Sequence, residues 1–596
     1  MENILVLEGT WPNTLAIVFI LTGSLYLLYW AALPKPIPGI PYNQVSAKRL
    51  AGDIPEFIRE KDGLRFWMRD QFIVHNSPVV QIFVAPFKRP WVLVSDFRES
   101  QDMTMRRTKE FDRSGLTYDS FGALAPTSYI CMRTDQPLFR HNRALLKDLM
   151  TTSFLHQVSA PEIYEKSCAL LDLWSMKMEK AQGNPFQADE DIHLAALDVM
   201  MAVTFDFPKS DTMVLKQINQ LEDRAFPSVS SEGVAEFSRV DLDPELDAWL
   251  YLTRSIGVGF QSPVPAFAHW WYLQSRKSKR MIRLKNAMIR RNIDVAMKRL
   301  KEKQENQNMR CAVDQILHQE TVLAEKYGVQ PNYHKKAIYD ELFIYIVGGY
   351  DTTSITLTWW TKYIASHQDY QTRLRNELQS FHSLALSENR LPSVEEITNS
   401  HIPYLEAFVE ETMRCSHIVP AVIRETVVDS PILGHMVPKG THLWLFSSGP
   451  SFMRPAFDIS EEIRSETSQQ VKDRVGTWSD DDIYKFKPER WLKKHSDNDG
   501  EREVFDHNAG PHMAFGHGPR SCFGRKLAYL ETRIVVTLLV WNFEFLKAGG
   551  ALDDLSPIDT FMGIPSQQQQ RLKAVGEGEV DITSATDIET MPLHLS

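Results

Sequence analysis

The sequence predicts a mainly α protein with a small β region, preceded by one N-terminal transmembrane helix. Three observations predict this. An uncharged run from Leu15 to Leu33, LAIVFILTGSLYLLYWAAL, has the length of a single membrane span. Long stretches of the body repeat apolar residues at helical spacing, most clearly Met281, Leu284, Met288, Ile289, Ile293, Met297 and Leu300. After Val427 the pattern changes to short apolar runs between turn residues, as in PILGHMVPKGTHLWLF from Pro431 to Phe446.

The first element is the apolar run. Tyr26, Tyr29 and Trp30 lie toward its far end, where aromatic side chains favour the membrane interface. Glu2 and Glu8 precede it, whereas Lys35, Lys48 and Arg49 follow, so the positive-inside rule places the body in the cytoplasm. A cleaved signal peptide would start basic and carry a shorter apolar run. The next residues, Pro34-Lys35-Pro36-Ile37-Pro38-Gly39-Ile40-Pro41, cannot be helical and read as a stiff elbow. The organisation is therefore an anchor over residues 1–33, one body over 34–575, and a polar, acidic and mobile tail over 576–596.

Composition bounds what the body can be. Hydrophobic residues at 43% and aromatics at 11% of 596 support a large core. A formal net charge of -10 argues against nucleic acid as a partner. The five cysteines, Cys131, Cys168, Cys311, Cys415 and Cys522, are widely spaced and form no CxxC pair. That fits a reducing compartment and disfavours a disulfide framework or a cysteine zinc site.

Along the body, VVQIFVA (Val79 to Ala85) and WVLVS (Trp91 to Ser95) read as short strands. The basic stretch from Arg276 to Gln304 reads as an amphipathic helix with a solvated face. Upstream, Trp249, Tyr251, Phe260, Phe267, Trp270 and Trp271 crowd a segment broken by Pro263 and Pro265, which predicts a loop. Its aromatics suit either core packing or a membrane-touching, substrate-access surface.

Three segments carry chemistry. In Phe515-Gly516-His517-Gly518-Pro519-Arg520-Ser521-Cys522-Phe523-Gly524, three glycines and a proline prevent regular structure, and an apolar helix follows. Cys522 thus sits before a helix N-terminus, where N–H groups and the dipole are expected to lower its pKa. Gly348-Gly349-Tyr350-Asp351-Thr352-Thr353 lies within an apolar helix from about Lys336 to His367. Two glycines, a costly acid and a hydroxyl that can bond one turn back predict a local bulge with room for ligand and water. Glu411 and Arg414 share a helix face at i, i+3, and Phe486-Lys487-Pro488-Glu489-Arg490-Trp491 supplies a further arginine.

The pattern F-x-x-G-x-R-x-C-x-G, with Phe515, Gly518, Arg520, Cys522 and Gly524 at its fixed positions, resembles the haem-binding loop of the cytochrome P-450 family. G-G-x-D-T-T resembles that family's oxygen-side helix, and E-x-x-R with P-E-R-W its structural arginine network. The resemblance runs in order over nearly the whole chain and looks closest to microsomal members, in style to fungal biosynthetic ones. It implies the cytochrome P-450 fold and haem b (iron protoporphyrin IX) with Cys522 as its thiolate axial ligand. It implies proton-relay roles for Asp351 and Thr352, propionate contacts for Arg520, Arg424 and Arg143, and a structural triad of Glu411, Arg414 and Arg490. Phe139 stands where the family often has Trp or His, which leaves open whether His141 replaces that propionate hydrogen bond. The stretch between Met453 and Phe486 is long for the family and reads as a surface insertion.

The function implied is a monooxygenase that uses O2 on a hydrophobic small molecule in a secondary-metabolite pathway. No Rossmann or flavin fingerprint is present, so electrons from NADPH are expected through a separate NADPH–cytochrome P-450 reductase, docking at Arg140, Arg143, Lys147, Arg525 and Lys526. The place implied is the endoplasmic reticulum membrane, single-pass, with the catalytic domain facing the cytoplasm. The alternatives are a haem-thiolate isomerase or dehydratase that needs no O2, or a haem sensor.

Overall fold

The computed structural model describes residues 11–60, 63–222, 226–260, 262, 264–302, 309–497, 500–559 and 562–575. The segment 576–596, expected as a mobile tail, lies outside the described residues, as do Glu2 and Glu8.

The apolar run forms α1 (Trp11–Ala32). Its window Leu15–Ala32 has a mean hydropathy of 1.9, and only 6% of it is buried against protein. By length and composition it suffices to cross a bilayer. The proline elbow leaves the helix and is clipped to β1 (Val79–Ile82). The Gln81 side chain donates to the carbonyls of Ile37 at 2.9 Å and Ile40 at 2.7 Å, and accepts from the Ile37 N–H at 2.8 Å. Ile37 and Ile40 are buried.

One five-stranded sheet gathers β1, β2 (Trp91–Val94), β3 (Phe111–Arg113), β4 (Ala421–Thr426) and β5 (His442–Phe446), in the order β1-β2-β5-β4-β3. Only β5 runs parallel to its neighbour β2 among these pairings. The predicted strands are present, and the region after Val427 adds a hairpin of Ser430–Ile432 with His435–Val437. A second five-stranded sheet joins Phe543–Leu546 and Gln569–Ala574 to three strands of two residues each, too short to leave a pattern in the sequence.

The helices that frame the site are α2 (Phe97–Met105), α3 (Pro137–Leu146), α4 (Asp189–Phe205), α5 (Pro244–Phe260), α6 (Pro265–Leu273), α7 (Arg276–Glu302), α8 (Lys336–Ser366), α9 (Pro403–Ser416) and α10 (Arg525–Asn542). The long helix α8 crosses the centre and packs against α4, α9 and α10. Burial along most of its length explains why its sequence is apolar on nearly every face. On α7, Met281, Met288, Ile289 and Ile293 are buried as its period predicts, and most of the basic residues face outward; Lys285 is the exception, buried with its ammonium over the Phe343 ring at 4.6 Å.

The stretch read as a loop is instead helical. α5 ends at Phe260 and α6 starts at Pro265, a position where proline loses no hydrogen bond. Its aromatics divide between the core and the surface. Trp249 is fully buried, whereas Phe267, Trp270 and Trp271 are 60%, 51% and 66% exposed.

Candidate active site

The cysteine loop is shaped by its glycines. Gly516 and Gly518 have φ of 60° and 71°, which a side chain disfavours. At Gly518 a Cβ would also lie 2.0 Å from the Thr104 carbonyl oxygen of α2, so the loop can seat there only without a side chain. The Cys522 N–H donates to the Phe515 carbonyl at 2.8 Å, which closes the loop just before α10. Cys522 is exposed and lines a large cavity. Its pKa is raised, not lowered as expected: burial outweighs the hydrogen bonds from the Gly524 and Arg525 N–H groups and the charge of Arg525. The helix N-terminus acts in the expected direction, but a coordinating metal cation is what deprotonates such a thiol outright.

The cavity above Cys522 encloses about 810 Å³. It is lined by Thr117 and Phe121, Phe260 on α5, Ile344 and Gly348 on α8, and Val419 to Ile423 leading into β4. Phe57, Ile58 and Leu64, near the N-terminus of the body, also line it. The wall is predominantly apolar, which suits a hydrophobic guest.

Three guanidinium groups converge on the cavity, and each carries N–H groups without a partner. Arg520 donates to the Met132 carbonyl at 2.8 Å, yet its Nε and Nη1 are unpaired. Arg424 on β4 donates to the Ile423 carbonyl at 3.0 Å, and its Nη2 is unpaired. Arg113 on β3 stands directly across from Arg424 in the sheet, and its Nε is unpaired. Burial and the neighbouring guanidinium charges push the pKa of Arg424 and Arg520 down to about 9, and burial lowers that of Arg113. Such a cluster requires a polyanionic guest, because buried unmade donors and like charges are costly. Together with a thiol at the cavity floor, this donor set fits haem b, whose propionates would take the guanidinium N–H groups. Arg143 on α3 also lines the cavity and donates to the Pro519 carbonyl. Phe139 stacks under Arg520 at 4.3 Å rather than offering a hydrogen bond. His141 does not replace it, since it pairs with Lys335 at 2.9 Å.

On α8 the acid and the alcohol face different compartments. Thr352 lines the cysteine cavity and donates to the Gly348 carbonyl at 2.7 Å. Asp351 lines a second cavity of about 510 Å³, more polar than the first, with His193, Thr253, Arg254, Tyr350 and Ser354. Burial pushes the Asp351 carboxyl up to about 7, with Arg254 pulling the other way. The expected bulge is absent: α8 stays α-helical through residues 348–353. The room comes from Gly348 itself, where an added Cβ would meet nothing within 4 Å. Gly349 serves packing, since a Cβ there would lie 2.4 Å from the Met200 sulfur.

Glu411, Arg414 and Arg490 meet behind the cavity. Arg414 binds Glu411 twice at 2.7 Å, and Arg490 Nε reaches Glu411 at 3.0 Å. The Lys487 N–H at 2.8 Å and the Trp491 indole at 3.0 Å complete the shell. Burial opposes the Glu411 charge, but these donors hold its carboxyl below the usual range.

Two residues escaped the sequence reading. Arg113 lies in an unremarkable FDR strand, and only sheet register brings it opposite Arg424. Glu531 on α10 lines the cavity with Oε2 unpaired, and burial pushes its carboxyl up to about 8. An acid inside the apolar run LAYLETRIVV was the available signal.

Comparison with known proteins gives concordant findings. The cytochrome P-450 family model matches residues 88–450 and 481–569. The chain is 35% identical over 586 residues to cytochrome P-450 monooxygenase TRI13 of Fusarium sporotrichioides, covering 94% of this chain and 98% of that one. It is 34% identical to cytochrome P-450 monooxygenase GME11363 of Pestalotiopsis microspora, again covering 94% and 98%. A Hps1-dma1 cluster cytochrome P-450 monooxygenase of Dothistroma septosporum is 42% identical over 247 residues, 40% of this chain and 78% of its own. The crystal structure of a cytochrome P-450 superposes with a TM-score of 0.64 at 16% identity, over 91% of this chain and 100% of that one, which supports the fold.

Proposed function

Because this chain belongs to the cytochrome P-450 family and is a monooxygenase of it, we propose that it oxidises a hydrophobic small molecule in a secondary-metabolite pathway, with electrons passed from NADPH by a separate reductase. The observation that carries the reading is the Cys522 thiol at the floor of an apolar cavity ringed by guanidinium groups with unmade hydrogen bonds. Bound haem supplies the activation of O2, and a thiolate ligand favours O–O cleavage. The chain's own residues do the rest. Arg113, Arg424 and Arg520 would hold the propionates and Cys522 the iron, and the apolar wall orients substrate and excludes water. Asp351 takes protons from the more polar cavity, and Thr352 presents a hydroxyl oxygen on the other side of α8. Glu411, Arg414 and Arg490 fix the frame beneath.

The gene-cluster name of one relative supports the pathway reading. α1 and the exposed Phe267, Trp270 and Trp271 support a single-pass protein of the endoplasmic reticulum membrane, its body on the cytoplasmic side with α6 touching lipid.

The test is spectral and metabolic. The reduced, CO-bound holoprotein should show the red-shifted Soret band of thiolate ligation, and Cys522→Ala should lose both band and turnover. A retained band means another ligand. Co-expression with a reductase and metabolite profiling should yield an O2-dependent product; product formed without O2 and NADPH favours an isomerase or dehydratase instead.

A further inference from the structure

The family match breaks between residues 450 and 481, where this chain carries the segment read as a surface insertion. Both of its ends are tied to the buried ion network. Arg414 donates to the carbonyls of Phe452 at 2.7 Å and Ile483 at 2.8 Å, and Arg490 to that of Asp482 at 2.8 Å. Between those ends the segment crosses α2. Arg464 donates twice to Asp96, at 2.7 and 2.9 Å, while Asp96 caps α2 by accepting the Glu99 N–H at 2.7 Å. The hydroxyls of Ser465 and Thr467 donate to Asp102 at 2.7 and 2.9 Å. The side chains of Arg464, Asp96 and Asp102 are 6%, 7% and 0% exposed, so water does little to screen them.

α2 is in turn the seat of the cysteine loop. Its Thr104 carbonyl occupies the space a Gly518 side chain would need. Its Phe97 meets His517 edge-on with ring centres 5.8 Å apart, and meets Phe452 at the start of the insertion at 5.7 Å. Packed interiors transmit such displacements rather than absorb them. We propose that the segment between Met453 and Phe486 is a strap that positions the Cys522 loop, with Arg464 as a positioning residue acting through α2. The inference rests on Cys522 as the iron ligand and adds an element that the family model lacks.

The experiment uses full-length holoprotein with Arg464→Ala, Arg464→Lys, the double variant Ser465→Ala/Thr467→Val, and Lys472→Ala as an exposed control on the same strap. The readouts are the reduction potential, the share of thiolate-type absorption in the reduced CO complex, and far-UV circular dichroism. Arg464→Ala should shift the potential and lose a severalfold share of the thiolate-type band while its dichroism stays wild type. Lysine should restore part of both, and Lys472→Ala should match wild type. If Arg464→Ala does not fold, the double variant decides, with the same expected shifts in smaller degree. Folded variants with wild-type potential and band overturn the strap. A wild-type protein without the thiolate-type band would instead overturn the ligand assignment on which it rests.

Discussion

At the level of single residues, Asp351 is a buried acid that burial works against. Its carboxyl is pushed up to about 7 by burial, so the folded protein keeps it neutral where an unfolded chain ionises it. Stability from this group is complete at acid pH and is lost as pH rises through about 7. Asp351→Asn should therefore raise the melting temperature at about pH 8 and leave it nearly unchanged at about pH 4. The same substitution should slow turnover and remove the limb near neutrality from the pH–rate profile. Arg113 makes a second case. Arg113→Leu should lower haem affinity by roughly ten- to hundredfold, the worth of about 1.5–3 kcal/mol for a charge-assisted hydrogen bond, measured by haem transfer to an apoglobin. Cys522 and Thr352 were legible because short linear patterns carry them. Arg113 was not, because its place opposite Arg424 is a fact of strand register.

Among the elements, α8 separates a strongly apolar compartment from a more polar one, and its two adjacent glycines do different work. Gly348→Ala meets open space and should gain about 1 kcal/mol of helix propensity, seen as a higher melting temperature, while crowding the substrate. Gly349→Ala must displace the buried Met200 and should cost roughly 1–3 kcal/mol by overpacking. Calorimetry on the pair reads the two signs directly. Helices α7 and α8 were legible from their periodicity and uniform apolarity. The α5–α6 turn was misread because a proline that starts a helix looks, in sequence, like one that breaks it. The second sheet was not legible as a whole because three of its five strands have two residues each, too few to carry alternation.

For the molecule as a whole, the order of motifs along the chain was readable, but not how the chain distributes them around and behind the cysteine cavity. The expected docking charges divide in the same way. Arg140, Lys147 and Lys526 are exposed, whereas Arg143 turns to the Pro519 carbonyl and Arg525 to His507 at 2.6 Å. Reversing Lys147 and Lys526 to Glu should raise the apparent KM for reductase severalfold and flatten its salt dependence, with the CO spectrum unchanged. Steady-state reduction at varied ionic strength checks this. The Gln81 clip on the proline elbow also decides where the chain can be shortened for crystallisation. A version beginning at Pro34 discards the apolar helix α1 and keeps every partner of Gln81. One beginning after Pro41 leaves a buried amide unpaired, at a cost of about 1–3 kcal/mol, and bares the backbone of β1 to neighbouring copies. The working boundary of a soluble form therefore falls before the prolines, not at the first residue of regular structure.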